Sequence, residues 1–500
     1  MTLCIVVADG ARPETLWRAI DAGELPALAR VRAQGSAHTI TTVFPSVTGS
    51  AYTPFLVGMH PGRAGLPGLR WYDRSRFNTL WPAHARSYVG IGGMRADKDL
   101  TPEARTLFEV EPRSLGGFTY IGRGLRGRRR IGTGTGFAAR MAWTHFRADV
   151  DSWLRFDRWL GEEFARRVRA QRPRVAFLAH PGVDKLSHRF GQDDPRVLQA
   201  LKTVDATVAR LQADAGADGR GGELEIWVVS DHGHEDVANH EDLERTVSDA
   251  GWSVKAHPNV LKGRDVGVMV SGNCMAHIYV ALDEEHNRGW EHFEARFGSL
   301  LGLLLHRPAV DLALVPRVDL SCDVLSRTHG RARVSIEFTS PEAFATLGPC
   351  ALPNPHHPEA RLTYEPLDGD PLQLGGPVRA VDPTTAWQLT RESAYPDSLV
   401  QILALANAPR SGDIILSAAH GWDLRARWEP SLHYSGHGAL RRDQMLVPLL
   451  MSRRVDATPR RTTEIYASAL EALGLASPRD VVLDGGSFLS RAGGTQLARS

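Results

Sequence analysis

Short apolar runs that end next to polar residues alternate with longer amphipathic stretches along most of this sequence. Such runs are typical of strands buried on both faces, and amphipathic stretches are typical of the helices that cover them. The pattern therefore predicts an α/β fold, a sheet with helices on both faces. The clearest predicted strands are 3–8, 175–179, 225–230, 277–282 and 413–417.

The amphipathic stretches predict helices between these strands. In open α/β sheets, ligands gather at the carboxyl ends of the strands. Asp and His residues just after the predicted strands are therefore the first candidates for a functional site. The predicted helices are 12–34, 48–57, 148–170, 195–213 and 462–473.

Composition argues against several classes of protein. The formal charge is only +2, so we expect no stable complex with nucleic acid. No apolar run approaches the roughly 20 residues that span a bilayer, and residues 3–8 resemble a strand rather than a signal peptide. The widely separated cysteines indicate neither a disulfide framework nor a cysteine zinc site, and they fit a reducing compartment. We therefore expect a cytoplasmic protein without a membrane segment. The cysteines are Cys4, Cys274, Cys322 and Cys350.

Two stretches break the alternation. Residues 113–136 are rich in Gly and Arg, which predicts a mobile loop. Residues 341–383 are dense in Pro and Gly with little periodicity, which predicts irregular cap or insertion structure rather than core.

The strongest local signal is Ser230-Asp231-His232-Gly233, which ends the predicted strand 225–230. Adjacent strand residues point to opposite faces, so Asp231 and His232 reach one metal ion only if the chain turns there, and Gly233 supplies that freedom. Taken alone, the pair serves equally well to cap a following helix.

Two further carboxylates follow predicted strands. Asp184 and His188 are four residues apart, which places them on one side of a helical turn, close enough to share a divalent ion. Asp9 comes directly after the first strand. In isolation, a solvated helix face is the simpler interpretation of Asp184 and His188, and a turn residue is the simpler interpretation of Asp9.

The last two elements are a histidine and a hydroxyl. His437 lies between Gly436 and Gly438, which let the backbone approach a site closely. Thr48 precedes an apolar segment that ends at Gly58, so we expect it at a helix amino terminus, where a phosphate and an attacking alkoxide are favoured. An N-cap threonine is the simpler alternative.

Together, these elements resemble the alkaline phosphatase superfamily, and within it the nucleotide pyrophosphatase/phosphodiesterase branch and the phosphonoacetate hydrolases. The resemblance rests on five segments in the family's order, which span nearly the whole chain. It implies an α/β fold with a central, mostly parallel sheet, helices on both faces and an inserted cap region. The segments are Asp9-Gly10, residues 44–58 with His60-Pro61 and Gly65, residues 184–191, residues 230–233 and residues 436–438.

The resemblance also implies a site with two divalent metal ions and the Thr48 oxygen between them. Nitrogen and carboxylate ligands without thiolate suit Zn²⁺, and Mn²⁺ or Fe is compatible with the same ligands. The implied ligands are Asp184, His188 and His437 for one ion, Asp9, Asp231 and His232 for the other, and Thr48 between the two.

In that arrangement, Thr48 attacks phosphorus and forms a phospho-threonine intermediate that water releases. The implied activity is the hydrolysis of phosphodiesters or nucleotide pyrophosphates, with a small phosphate-containing substrate as the partner and no prediction of oligomeric state. We expect residues 1–255 and 411–500 to form the metal-binding core. Residues 256–410 are expected to be partly core and partly a cap that shapes the substrate site.

The sequence departs from the family at the phosphate clamp. The phosphodiesterase branch generally supplies an Asn near the nucleophile to hold a non-bridging phosphate oxygen, whereas Gly49, Ser50 and Ala51 follow Thr48 here. The candidates to replace this Asn are the backbone N–H of Gly49, the Ser50 hydroxyl, Tyr72 and an Arg. Arg70 is one such candidate.

Several side chains near these motifs have open roles. Ser46 and Ser50 compete with Thr48 as nucleophile, and the spacing to Gly58 favours Thr48. His234 is either a support for the metal ligands or a surface residue. We expect His356 and His357 to be solvated. His420 and His433 are expected to be structural.

Other functions remain open on the same fold. A phosphonate hydrolase or a phosphomonoesterase keeps the two-metal core and changes only the substrate. An isomerase or phosphotransferase needs a second phosphate-accepting pocket. A sulfatase is disfavoured because the C/S-x-P-x-R context is missing. A binding protein without catalysis is hard to reconcile with a complete set of ligands.

Overall fold

The computed structural model describes residues 1–76, 85–132, 134, 136, 137, 143, 144, 149–258, 260, 261, 263–284, 289–340, 353–425, 432–478 and 481–489. Its centre is a seven-stranded sheet, which we call the central sheet. Four of its six strand pairings are parallel, and the two that involve Leu446–Met451 are antiparallel. The spatial order is Ser36–Thr41, Leu446–Met451, Leu224–Val229, Thr2–Ala8, Val175–His180, Ser114–Gly117 and Arg130–Ile131.

The middle of the central sheet is covered on both faces. Thr2–Ala8 pairs in parallel with Leu224–Val229 on one side and with Val175–His180 on the other. Its alternate residues belong to two separate apolar clusters, one on each face. A strand buried on both faces has to be apolar almost throughout, which is why these runs stand out in the sequence.

A second sheet of nine strands lies beside the central one. All its pairings are antiparallel except the first. Two of the predicted strands, at 277–282 and 413–417, belong to this sheet rather than to the central one. Its order is Val254–Ala256, Val266–Ser271, Met275–Val280, Ile414–Ala418, Val310–Pro316, Cys322–Ser326, Gly330–Phe338, Ala360–Pro366 and Val378–Val381.

Three two-stranded ladders complete the strands. They pair Arg70–Tyr72 with Ala85–Ser87, Glu235–Asp236 with Ser435–Gly436, and Asn239–His240 with Trp422–Asp423.

The helices cover the sheets and connect their strands. The α-helices are Pro13–Asp21, Pro26–Gln34, Thr53–Leu56, Ala96–Asp99, Leu107–Val110, Val150–Gln171, Gly182–Phe190, Pro195–Ala217, Leu243–Asp249, Trp290–Leu305, Pro383–Thr390, Ser398–Ala406, Arg442–Met445 and Glu464–Ala472. The 3₁₀ helices are Ser50–Tyr52, Arg74–Arg76, Gly90–Arg95, Gly127–Arg129 and Gly221–Glu223.

Two predicted helices differ from the structure. The stretch 12–34 is two helices, because Pro26 begins a new one and cannot continue the first. The stretch 48–57 is a single 3₁₀ turn, Ser50–Tyr52, followed by the short helix Thr53–Leu56. The helix predicted at 148–170 begins at Val150, and its predicted first residue lies outside the described residues.

The two stretches predicted to be irregular contain strands. Ser114–Gly117 and Arg130–Ile131 form one edge of the central sheet, although residues 113–136 were expected to be a loop. Gly116 and Gly117 suit this edge, because a Cβ there would meet the side chains of Leu125 and Leu178. Ala360–Pro366 and Val378–Val381 end the second sheet, and residues 341–352 lie outside the described part of the chain.

Candidate metal centre

Three neighbouring strands of the central sheet deliver the carboxylates of the site. Asp9 directly follows Thr2–Ala8, and Asp231 follows Leu224–Val229 after one residue. Asp184 lies in the first turn of the helix Gly182–Phe190, just beyond the third strand. All three aspartates are at most 1% exposed. Because the strands are parallel, their carboxyl ends meet at one edge of the sheet, which brings these distant residues together.

Asp184 is the centre of the first group of donors. Its Oδ1 lies 3.1 Å from Nε2 of His188, 3.0 Å from Nε2 of His234 and 3.4 Å from Nε2 of His437. The donor atoms of these four residues lie within 4.8 Å of one another, and all four residues are buried. The group therefore has the composition and spacing of a metal site.

The imidazole rings are held by their other nitrogens. Nδ1 of His188 lies 2.7 Å from the carbonyl oxygen of Ser435, and Nδ1 of His437 lies 2.8 Å from that of Ser46. A carbonyl only accepts, so each Nδ1 is the donor and each Nε2 keeps its lone pair for a ligand. This arrangement fixes ring orientation around metal ions in many proteins.

The second group surrounds Thr48. Asp9, Asp184 and His232 offer donor atoms that lie within 4.8 Å of one another. The Thr48 hydroxyl donates to Oδ1 of Asp9 at 3.2 Å and lies 2.9 Å from Nε2 of His232. Nδ1 of His232 is 2.9 Å from the carbonyl oxygen of Gly233, so its Nε2 also faces the centre. The Thr48 hydroxyl thus contacts two members of the second group, and Asp184 belongs to both groups.

Asp231 joins the second group at its edge. Its Oδ1 accepts from the backbone N–H of Gly10 at 3.3 Å, and its Oδ2 lies 3.5 Å from Nε2 of His232. Among the described residues, Oδ2 has no hydrogen-bond partner, although Asp231 is fully buried. A buried carboxylate oxygen without a partner is costly, and a bound cation would remove that cost.

The charges of the two groups are unbalanced, and the pKa values reflect it. Burial, and then the negative charge of Asp9, raises the pKa of Asp231 well above its usual range. Burial, and then the neighbouring His232, lowers the pKa of His437 well below its usual range. Burial works against ionisation of Asp184, but Lys185 and His188 outweigh it and hold its pKa well below the usual range.

These observations fit a pair of divalent metal ions. The donors are carboxylate oxygens and imidazole nitrogens, the set that suits zinc and related ions. The partnerless oxygen of Asp231 and the converging Nε2 atoms both indicate that positive charge belongs at this place. The residues that would hold the ions are Asp9, Thr48, Asp184, His188, Asp231, His232, His234 and His437.

The structure brings together all seven predicted ligands and adds His234. This residue is fully buried, and its Nδ1 lies 3.0 Å from the Ser435 hydroxyl. Of the two roles left open for His234, the surface position is therefore wrong. The signal in the sequence was its position, two residues after His232 and directly after Gly233.

Gly233 is required for a different reason from the one expected. A Cβ at this position would lie 2.1 Å from the carbonyl oxygen of Asp443. The glycine therefore permits a close approach of two backbone segments that flank the site.

Residues 45–50, which we call the nucleophile loop after the role predicted for Thr48, carry three hydroxyls with different surroundings. Ser46 is fully buried, and its hydroxyl donates to the carbonyl oxygen of Ala439 while accepting from the N–H of Gly438. The Ser50 hydroxyl is buried and has no partner among the described residues. Of these three hydroxyls, that of Thr48 contacts donors of the site, namely Asp9 and His232.

Three residues that the sequence did not single out, Tyr120, Tyr52 and Lys185, lie around the site. Gly49 has a φ of 86°, and a Cβ there would lie 3.0 Å from the ring of Tyr120. The Tyr120 ring also packs against Tyr52, whose hydroxyl donates to Oδ2 of Asp9 at 3.1 Å. Lys185 contacts Asp184, with Nζ 2.7 Å from Oδ2.

The other predicted contacts have different surroundings. The Tyr72 hydroxyl donates to the carbonyl oxygen of Leu282 at 3.1 Å, and the ring is buried against Tyr279. His356, which was expected to be solvated, is half-buried instead, with its Nε2 2.7 Å from that of the buried His60. His420 pairs with Glu235 at 2.6 Å.

His433 lies beside the first donor group. Its ring centroid is 4.4 Å from that of His188. Its Nδ1 contacts the side-chain amide of Asn273, a residue whose backbone pairs with His437. This part of the second sheet therefore borders the metal centre.

Comparison with known proteins places the chain in a family. A sequence model described as type I phosphodiesterase / nucleotide pyrophosphatase matches residues 3–296. The chain has no match among curated protein sequences. No helix in the described part of the chain is long and apolar enough to cross a membrane.

Solved structures share the fold at low sequence identity. Human ectonucleotide pyrophosphatase / phosphodiesterase 5 is 13% identical, with 98% of each chain covered and a TM-score of 0.56. An inactive variant of the murine protein in complex with AMP is 12% identical, with 96% of each chain covered and a TM-score of 0.53. Phosphonoacetate hydrolase from Sinorhizobium meliloti 1021 is 16% identical, with coverage of 95% of this chain and 96% of that chain and a TM-score of 0.51.

Proposed function

The chain belongs to the type I phosphodiesterase / nucleotide pyrophosphatase family, and from this premise we propose that it hydrolyses phosphodiester or nucleotide pyrophosphate bonds through Thr48. The observation that carries the proposal is the place of the Thr48 hydroxyl, which contacts both Asp9 and His232 of the second donor group. A hydroxyl held there is aligned for attack on a phosphoryl group.

Each residue has a distinct part in the proposed reaction. Bound divalent ions would lower the pKa of the Thr48 hydroxyl and offset negative charge on the phosphoryl oxygens. The Thr48 oxygen gives up its proton and forms a bond to phosphorus as the leaving oxygen departs and takes up a proton, which produces a phospho-threonine that still carries the rest of the substrate. A water molecule then attacks phosphorus, returns a proton to the Thr48 oxygen and releases a phosphomonoester. Tyr52 orients Asp9 by donating to its second oxygen.

Two further proposals concern the substrate. The AMP complex of the murine relative supports a nucleotide as one product. We also propose that residues 256–410 shape substrate choice, because Gly272 accepts a hydrogen bond from the backbone of His437 at 3.1 Å and Asn273 contacts His433. Gly49 and Ser50 remain proposed substrate contacts on the nucleophile loop, and the phosphate-contact role of Tyr72 stays a prediction.

A second candidate keeps the metal centre and changes the substrate to a phosphonate or a phosphomonoester. The likeness to phosphonoacetate hydrolase and the missing asparagine near Thr48 favour it. Turnover of bis-p-nitrophenyl phosphate, p-nitrophenyl phosphate and phosphonoacetate, each with added Zn²⁺ or Mn²⁺, separates the two candidates. A sulfate ester belongs in the same series, and elemental analysis of the purified protein should give about two divalent ions per chain.

Replacement of Thr48 tests the nucleophile directly. Thr48→Ala should lower kcat by at least about 10³-fold, because the covalent step loses its oxygen. Its metal content should stay near that of the wild type, whereas Thr48→Ser should retain measurable turnover. An unchanged rate in Thr48→Ala would remove Thr48 from this role.

A further inference from the structure

Lys185 places a positive charge at the rim of the metal centre. It follows Asp184 on the helix Gly182–Phe190, and its Nζ lies 2.7 Å from Oδ2 of that carboxylate. The Lys185 side chain is 28% exposed, whereas that of Asp184 is fully buried. An ammonium has three donor hydrogens, so one can remain on Asp184 while others point to a ligand.

Lys185 lies near Tyr120, a residue that contacts the nucleophile loop. Tyr120 packs on Gly49, the residue after Thr48. Burial raises the pKa of the Tyr120 hydroxyl, and the nearby Lys185 ammonium opposes that rise. Lys185 also contacts Asp184, whose donor atom lies within 4.8 Å of those of the two residues that contact the Thr48 hydroxyl.

The neutral amide expected in this place is missing. Gly49, Ser50 and Ala51 follow the nucleophile, and none of them carries an amide side chain. Among the described residues, Asn273 does lie near the centre, but its side chain contacts His433. That contact directs the amide towards the ring that packs on His188.

We propose that Lys185 holds a non-bridging oxygen of the substrate's phosphoryl group in place of an asparagine, and thereby favours dianionic groups over diesters. The inference rests on the proposed attack of Thr48 on phosphorus, and it favours the phosphomonoester or phosphonate candidate over the diester. An ammonium adds one positive charge to a position where an amide adds none. That charge offsets the second negative charge of a phosphomonoester or phosphonate, which a diester does not carry.

The turnover test compares two substrates that differ in charge. Lys185→Met should lower kcat/KM for p-nitrophenyl phosphate about tenfold more than for bis-p-nitrophenyl phosphate, since one charge-assisted hydrogen bond is lost. Lys185→Arg should restore most of the ratio, because it keeps the charge. Lys202→Met is the matched control: it removes a lysine that pairs with Glu24 on the surface, and its ratio should equal that of the wild type.

A binding test gives a readout that does not depend on turnover. In the Thr48→Ala background, calorimetry measures inorganic phosphate as the dianion and dimethyl phosphate as the monoanion. Lys185→Met should weaken phosphate binding about tenfold and leave dimethyl phosphate nearly unchanged. Metal content is measured in every variant.

Three results would overturn the proposal. An equal loss for both substrates and both ligands would make Lys185 a general support of the site. A fall in metal content would make it a support of Asp184. A dianion-selective loss in Asn273→Ala, with none in Lys185→Met, would transfer the role to Asn273. If the wild type turns over neither ester, the proposed hydrolysis fails, while the binding test still decides the role of Lys185.

Discussion

Two sets of buried charges in this chain are neutralised in opposite ways. Asp397 receives two hydrogen bonds from the guanidinium of Arg461, at 2.7 and 2.6 Å, and a third from Gln401 at 2.8 Å. At the metal centre, Asp9, Asp184 and Asp231 are equally buried, but Oδ2 of Asp231 has no partner among the described residues. The carboxylate of Asp397 has its hydrogen-bond partners within the chain, whereas the carboxylates of the metal centre are not all paired.

The difference shows what each set is for. A buried ion pair that satisfies itself holds two segments together: Gln401 also accepts from the backbone of Phe44, which leads into the nucleophile loop. A buried cluster of carboxylates either takes up protons, as the raised pKa of Asp231 indicates, or binds cations from outside. The same chain therefore builds a support from matched charges and a binding site from unmatched ones.

Removal of the metal ions should give the largest effect on stability. A chelator should lower the free energy of unfolding by about 5 kcal/mol when two ions were each present at about a hundredfold excess over their dissociation constants. Urea unfolding with and without chelator measures this loss. Equal stability in both conditions would show that the centre is balanced without ions, and the comparison would fail.

Asp397→Asn should have the next largest effect. It leaves the Arg461 guanidinium buried without its counter-charge, which costs about 3–5 kcal/mol. Because this pair needs no ion, the loss should be the same with and without chelator.

The surface pair of Arg18 and Asp193 supplies the control for that variant. Both side chains are more than half exposed, so Asp193→Asn should change stability by less than about 1 kcal/mol. A comparable loss in both variants would contradict the distinction between buried and exposed pairs.

Asp423 lies between these two cases, because it is buried and has a partner within the chain, but that partner is a histidine rather than an arginine. It is 1% exposed and its Oδ1 lies 3.0 Å from Nδ1 of His240. Burial raises the pKa of Asp423 from 3.8 to about 6. The folded state then binds the proton more tightly than the unfolded state. This contribution to stability is complete below about pH 4 and is lost as the pH rises through about 6.

Unfolding of the wild type and of Asp423→Asn across that range tests this sign. The wild type should lose about 2 kcal/mol relative to the variant between about pH 4.5 and 6.5, with chelator present in both samples. Parallel curves for the two proteins would show that Asp423 does not titrate in this window.

Asp231→Asn should have the smallest effect in metal-free protein. Its pKa is raised well above the usual range, by burial and then by Asp9, so little charge is lost on replacement. The amide oxygen can still accept from Gly10. Stability without ions should stay within about 1 kcal/mol of the wild type. The stabilisation by added Zn²⁺ should shrink, and an undiminished response would place the ion elsewhere.

Sequence reasoning predicted which side chains lie together better than it predicted which strands pair. All five predicted strands exist, because a strand buried on both faces is apolar throughout and stands out from its surroundings. Two of them belong to the second sheet, since strand pairing depends on partners far along the chain. The edge strand Ser114–Gly117 was missed, because glycine-rich sequence is typical of loops.

The residue types and their order along the chain thus predicted the α/β fold and, through the family resemblance, seven side chains that converge, because strand ends in such a fold have few places to meet. Tertiary structure alone decided which neighbours complete the site. His234, Lys185 and Tyr120 join it through contacts whose partners are distant in sequence, such as His234 with Asp184 and Tyr120 with Gly49. A local pattern records what a residue can do, and packing determines which atoms it meets.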